Sequence, residues 1–304
     1  MDLDAVQRIT QLKAQTGAVV LAHYYTPGAV QDLADYVGDS LYLAQVAKEL
    51  DAQTIVLCGV AFMGESAKLL NPNKRVLMPD LQADCPMAHM APLDQVERIK
   101  REVEDLAVVC YVNSTAELKA LSDACVTSAN AVEVVAALPQ RTILFVPDQN
   151  LGRHVARQLP NKRFLFLQGC CPVHDRICAA DVEALKQAHP GAPVLAHPEC
   201  RGEVLALADY VGSTSGMLAY ARKSEEAALI LCTEEGIAHR LERENPGKTF
   251  YFAGERPCCE GMKRNTLETL AACLEQGLGE VEVDAGLRER ALVPLDAMFE
   301  LGAR

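Results

Sequence analysis

Short apolar, β-branched runs alternate along this chain with stretches whose apolar positions recur at helical spacing. The first run is Val19 to Tyr25. A helical stretch follows, then a short Val37-Gly38 segment, then a second helix with Leu41, Ala44, Val46, Ala47 and Leu50 on its apolar face. Thr54 to Leu57, Thr142 to Val146 and Ala228 to Leu231 read as buried strands. Strands alternating with helices predict parallel sheets with helices on their faces.

The pattern occurs three times. Val20-Leu21-Ala22-His23, Val109-Cys110-Tyr111 and Val194-Leu195-Ala196-His197 open corresponding segments, and His23, Tyr111 and His197 each stand 17 residues before Ser40, Ser128 and Thr214. Downstream, Asn71-Pro72-Asn73-Lys74 answers Leu159-Pro160-Asn161-Lys162 and Asn245-Pro246-Gly247-Lys248. Apolar runs at Val76 to Met78, Phe164 to Leu167 and Phe250 to Phe252 come next. A cysteine follows each run. Cys85, Cys171 and Cys259 lie 62, 60 and 62 residues after His23, Tyr111 and His197, a spacing that favours Cys259 over its neighbour Cys258. Landmarks in constant order at near-constant spacing predict three diverged copies of one α/β unit, at 1–88, 89–174 and 175–263, with 264–304 packing back on the first. A purely architectural repeat is the competing explanation.

Sites in parallel α/β units form beyond the carboxyl ends of the strands. His23, Tyr111 and His197 are expected there. Ser40, Ser128 and Thr214 are expected to begin helices, where a hydroxyl caps free N–H groups and the dipole favours an anion. Strand alternation would put His23 with Tyr25, Tyr111 with Asn113, and His197 with Glu199 on one side. Units arranged about a pseudo-threefold axis would bring all of these to one cavity, suited to a small substrate with several carboxylates or a phosphate. His, Glu and Tyr can move protons there, and Asn can hold a carboxylate.

The same symmetry brings three cysteines together. Three thiolates suit zinc or an iron–sulfur cluster. The chain has no C-x-x-C pair, and single ligands from separate units better fit a cube-shaped [4Fe-4S] cluster, one per chain, with one iron open as a Lewis acid. His174, three residues after Cys171, is placed to reach the cluster edge. Cys58, Cys110 and Cys232 are expected to be buried structural thiols. Cys170, Cys200 and Cys258 adjoin proposed site residues. His89, His154, His189 and His239 have no site context, and Phe62-Met63 is expected to be core or the pocket mouth.

Composition adds exclusions. Twelve cysteines in 304 residues do not suggest a disulfide framework in a chain that is neither small nor evidently secreted. The acidic start Met1-Asp2-Leu3-Asp4 lacks the order of a signal peptide, and no apolar run approaches the ~20 residues needed to cross a bilayer, so a cytoplasmic location is expected. A net charge of -12 offers no general basic surface for nucleic acid.

Taken together, several motifs resemble the quinolinate synthase A family over nearly the whole chain: Ala22-His23-Tyr24-Tyr25, Asp35-Tyr36-Val37-Gly38-Asp39-Ser40, Phe62-Met63-Gly64-Glu65-Ser66-Ala67-Lys68, Tyr111-Val112-Asn113-Ser114, His197-Pro198-Glu199-Cys200 and Cys259-x-x-Met262-Lys263. The resemblance implies three pseudo-symmetric parallel-sheet α/β domains around a central [4Fe-4S] active site. It implies condensation of iminoaspartate with dihydroxyacetone phosphate to quinolinate, with loss of phosphate and two waters. By motif position it implies Cys85, Cys171 and Cys259 as ligands; His23, Ser40, Tyr111, Asn113, Ser128, His197, Glu199 and Thr214 as substrate contacts; and Tyr25, His197 and Glu199 as acid/base groups, with His174 assisting. L-aspartate oxidase would be the supplier of iminoaspartate. The C-x-x-C-x-x-C ending of some members is missing, so a thiol switch there is not expected. Two other readings stay open from the residues alone: another [4Fe-4S] hydro-lyase acting on a polycarboxylate, and a non-enzymatic iron–sulfur sensor.

Overall fold

The structure, a computed structural model, describes residues 3–302, so Met1 and Asp2 of the acidic start lie outside it. The chain runs helix then strand four times in each of three units. The first comprises α1 (Leu3–Thr16), β1 (Val19–His23), α2 (Gly28–Leu33), β2 (Tyr36–Gly38), α3 (Ser40–Glu49), β3 (Thr54–Cys58), α4 (Ala61–Leu70) and β4 (Arg75–Leu77). The second comprises α5 (Leu93–Glu102), β5 (Leu106–Tyr111), α6 (Ala116–Ala120), β6 (Ala124–Val126), α7 (Ala131–Ala137), β7 (Thr142–Val146), α8 (Gln149–Gln158) and β8 (Arg163–Phe166). The third comprises α9 (Ala179–Ala188), β9 (Val194–Ala196), α10 (Gly202–Leu205), β10 (Tyr210–Val211), α11 (Thr214–Lys223), β11 (Ala228–Cys232), α12 (Ala238–Glu244) and β12 (Thr249–Phe252). The chain ends in α13 (Glu260–Lys263), α14 (Leu267–Gln276) and α15 (Ala285–Gly302).

Each unit folds into one four-stranded parallel sheet, and the strand order is the same in all three: β2-β1-β3-β4, β6-β5-β7-β8 and β10-β9-β11-β12. The apolar runs form these strands because helices cover both faces; every residue of β7 is buried, as are four of five in β3 and β11. The repeated polar residues explain why the copies kept one geometry. Asp35, Asp123 and Asp209 each accept the backbone N–H of a residue 15 positions back, Val20, Val108 and Val194, at 2.8, 2.7 and 2.8 Å. Each carboxylate thereby ties the start of a second strand to the strand beside it. Lys74, Lys162 and Lys248 donate to carbonyls where the third helix of each unit ends: Leu50, Leu138 with Gln140, and Ala221 with Ser224. Those carbonyls have no partner inside their own helix.

One apolar core includes β-strand residues of all three units, among them Leu21, Val109 and Leu195. A second packs Leu270, Ala271, Cys273 and Leu274 of α14 with Ile9, Val20 and Val30. The expected packing of 264–304 on the first unit therefore needs correction in its second half. Helix α14 lies on α1, whereas α15 lies mainly against α6, β6 and α7 of the second unit and touches α4 of the first. Among the described residues no helix is long and apolar enough to cross a membrane.

Candidate active site

In each sheet the crossovers from the two central strands leave in opposite directions. This opens a crevice at their carboxyl ends, where α/β proteins place ligands. The three crevices share one cavity, lined from the first unit by His23, Tyr25, Ser40 and Cys85, from the second by Tyr111, Asn113, Ser128 and Cys171, and from the third by His197, Glu199, Thr214 and Cys259. His174 and Phe62 line it as well, while Met63 borders a smaller apolar pocket beside it.

The local geometry corrects the sequence reading in two places. First, strand alternation does not pair His23 with Tyr25, Tyr111 with Asn113 or His197 with Glu199, because β1 stops at His23, β5 at Tyr111 and β9 at Ala196. In the first and third units tight turns do it instead. The N–H of Tyr25 donates to His23 Nδ1 at 3.1 Å, and the N–H of Glu199 to His197 Nδ1 at 3.4 Å. Second, Ser40, Ser128 and Thr214 are not the caps. Asp39 and Ser213, in extended conformation one residue earlier, accept from Tyr42 N and Gly216 N at 3.0 and 3.2 Å. In the middle copy α7 starts only at Ala131, and Asn130 Oδ1 turns back to accept from Thr127 N at 2.7 Å. Ser40 and Thr214 already belong to their helices, so their hydroxyls are left for other partners.

Those partners form a buried polar network. Thr214 Oγ1 lies 2.9 Å from Tyr25 Oη, which also meets Thr233 Oγ1 at 3.0 Å. His174 Nε2 meets the same Thr233 hydroxyl at 3.0 Å. The other ring nitrogen of His174 stands 2.6 Å from Glu199 Oε2 and 3.2 Å from Cys171 Sγ. His174 stacks on His197 with ring centroids 4.5 Å apart, and His197 Nε2 reaches Ser128 Oγ at 3.2 Å. Burial lowers the pKa of His23 to about 4 and that of His197 to about 3, so both rings are neutral at pH 7. Burial also opposes the charge on Glu199, yet the imidazoles of His197 and His174 and hydrogen bonds from His174 and Tyr111 hold its carboxyl below the usual range. Burial pushes the phenols of Tyr25 and Tyr111 well above theirs. The site thus sets an ionised Glu199 beside the neutral rings of His23 and His197 and the protonated phenols of Tyr25 and Tyr111. Asn113 Oδ1 is buried with no hydrogen-bond partner, an orphan acceptor on the cavity wall.

Cys85, Cys171 and Cys259 follow β4, β8 and β12 on three separate loops. They also border a second, outer cavity. Cys258 borders only the outer one, and Cys170 neither. Burial, together with the neighbouring thiol or carboxylate charges, keeps Cys85 and Cys171 protonated, and Cys259 is raised to about 11, so binding a metal here releases protons. Donor atoms of Cys171, His174 and Glu199 all lie within 4.8 Å of one another. Cys58, Cys110, Cys200 and Cys232 are fully buried. Of the remaining histidines, His89 pairs with Asp84, His154 with Gln158 and His239 with Asp32, and His189 stacks on Tyr251.

Sequence reasoning passed over Thr233, Asp148 and Glu234. Asp148 and Glu234 follow the central strands β7 and β11, and each accepts the backbone N–H of a cavity cysteine: Cys171 at 3.1 Å and Cys259 at 3.0 Å. Their signal was positional, since 60, 148 and 234 are equivalent in the repeat, but the first copy carries Val60 there.

Three pseudo-equivalent parallel α/β units enclosing a buried centre of thiols, imidazoles and carboxylates define a metalloenzyme class, in which a metal cluster fits the donor set. Family comparison narrows this. Residues 7–300 match the family described as quinolinate synthetase A protein, and the chain belongs to that family. A quinolinate synthase of Fusobacterium nucleatum is 47% identical over 294 residues, covering 97% of this chain and 98% of the relative. One from Clostridioides difficile is 44% identical, with 99% of each chain covered. Quinolinate synthase 1 of Methanosarcina acetivorans is 47% identical, with 97% of each covered.

Proposed function

We propose that this chain is a quinolinate synthase of NAD biosynthesis. It condenses iminoaspartate with dihydroxyacetone phosphate to quinolinate, releasing phosphate and two waters. The observation that carries this reading is the convergence of equivalent residues from all three units on one cavity, in a chain of this family.

The donor set fits a [4Fe-4S] cluster held by Cys85, Cys171 and Cys259: three thiols come from three loops, and among the described residues no fourth cysteine lines the inner cavity. When bound, such a cluster supplies an iron without a protein ligand, a Lewis acid for a substrate oxygen. The chain's own groups do the rest. Ser40, Ser128 and Thr214, near helix starts, hold carboxylate and phosphate oxygens together with His23 and Tyr111, while the orphan Oδ1 of Asn113 accepts from a substrate hydroxyl or N–H. Tyr25 donates a proton through its hydroxyl, which Thr214 and Thr233 aim. Glu199 accepts protons, with His174 fixing its carboxylate at 2.6 Å and neutral His197 beside it. Burial of these groups excludes bulk water from a sequence of dehydrations. Iminoaspartate is a reactive imine, which suits direct supply by an aspartate-oxidising enzyme such as L-aspartate oxidase.

The test is anaerobic purification followed by assay with dihydroxyacetone phosphate and iminoaspartate generated in place, reading quinolinate. Glu199→Gln is expected to keep the parent's iron and sulfide while turnover disappears. A parent chain that carries iron and sulfide but forms no quinolinate would overturn the reading.

A further inference from the structure

The three cysteine loops share one backbone bond and differ in a second. In every unit the first residue of the helical turn that follows β3, β7 or β11 donates its N–H to the loop that carries the cysteine: Ala61 to Ala83 O, Gln149 to Gly169 O and Glu235 to Pro257 O, each at 2.8 Å. In the second and third units a buried carboxylate is added at the preceding position. Asp148 accepts from Leu151 N at 2.8 Å with Oδ1 and from Cys171 N at 3.1 Å with Oδ2. Glu234 accepts from Gly236 N at 2.7 Å with Oε2, and from Cys259 N at 3.0 Å and Lys263 Nζ at 2.7 Å with Oε1. Both residues are fully buried. The first unit has Val60 there; Cys85 N–H is held instead by its exposed neighbour Asp84 at 2.8 Å.

Resting on the cluster reading above, we propose that Asp148 and Glu234 are positioning residues that set the direction of the Cys171 and Cys259 sulfurs by clamping the amides of their loops. A carboxylate suits this task because both of its oxygens accept, and each faces an N–H donor on a different segment. One end grips the start of the element after the central strand; the other grips the ligand loop. An amide in its place accepts at one end only and turns an NH₂ toward an N–H at the other. Groups that orient metal ligands in this way are worth ~10–100-fold in metal affinity. The third-unit clamp reaches further. Lys263 also donates to the carbonyl of Tyr25 at 2.7 Å, so the Cys259 loop and the Tyr25 turn are fixed by one ammonium. This gives the Lys of the Cys-x-x-Met-Lys ending a task.

The experiment compares parent, Asp148→Asn, Glu234→Gln and, as a half-exposed control whose second oxygen meets only the His89 ring of its own loop, Asp84→Asn, all purified as holoprotein without oxygen. Iron release to a chelator and the EPR signal of the reduced cluster are measured, with folding followed by circular dichroism. The two buried variants are expected to release iron ~10–100-fold faster with an altered EPR line shape, and Asp84→Asn to match the parent. Buried variants that match the parent in both readouts overturn the inference. Asp148 also caps α8, so if Asp148→Asn does not fold, Glu234→Gln decides the question; failure of both to fold assigns them to stability alone and overturns it too. A parent chain without iron and sulfide instead sinks the cluster reading itself.

Discussion

Replacing Tyr25 with Phe separates chemistry from stability. The hydroxyl meets Thr214 Oγ1 at 2.9 Å and Thr233 Oγ1 at 3.0 Å, and Thr233 keeps His174 Nε2 at 3.0 Å after the change. One threonine hydroxyl is therefore left without its partner, a cost of about 1–2 kcal/mol. For a chain of this length the unfolding entropy is about 0.6 kcal/mol per kelvin, so the melting temperature is expected to fall by only ~2–3 °C. Removing a general acid costs far more in rate, ~10²- to 10⁴-fold, or about 3–5 kcal/mol of barrier. The assay is quinolinate formation under single-turnover conditions, with melting followed on the same sample. Burial holds the Tyr25 proton well above pH 10, so the loss is expected to be uniform across neutral pH rather than confined to one limb. A Phe variant turning over within tenfold of the parent would remove Tyr25 from the chemistry.

Further outcomes follow from the same geometry. Cys259→Ser is expected to lose the cluster and Cys258→Ser to retain it, because only Cys259 borders the inner cavity; iron and sulfide counts after anaerobic purification decide. The metal-free chain should weaken in acid. The neutral, buried His23 and His197 have pKa values lowered to about 4 and about 3, so the unfolded chain takes up protons first as pH drops below ~6.5, costing about 1.4 kcal/mol per pH unit for each ring. The depressed carboxyl of Glu199 adds to the loss below ~4.3, since its stabilisation exists only above that range. Melting temperatures between pH 7 and 5 check this, and an unchanged slope in a His23→Gln, His197→Gln double variant would contradict it. Lys162→Met should free the Leu138 and Gln140 carbonyls, bonded at 2.6 and 2.9 Å, and cost about 1–2 kcal/mol in denaturant while turnover stays near the parent's. A large loss of turnover would show that this pin reaches the site.

The repeat was legible because its invariant letters perform mechanical tasks that any working copy must keep. An aspartate that holds a strand's amide and a lysine that closes a helix end tolerate no drift in spacing, so Asp35, Asp123 and Asp209 and the Lys74, Lys162 and Lys248 series stay in phase. Details that depend on backbone angles were not legible. Asp39-Ser40 and Ser213-Thr214 each offer two capping side chains in a row, and only the extended conformation of the first decides which one turns onto the helix. The turns after His23 and His197 hide in the same way, because a strand's alternation and an imidazole-closed turn both bring the second residue to the cavity. Helix α15 has apolar residues enough to pack anywhere, and nothing in its own pattern names the second unit as its partner. Asp148 and Glu234 were missed for a different reason: comparing copies by identity discards a position where one copy is apolar. Comparing by place keeps it, and in a pseudo-symmetric site the place where one unit departs from the others marks where the symmetric scaffold has been fitted to an asymmetric task.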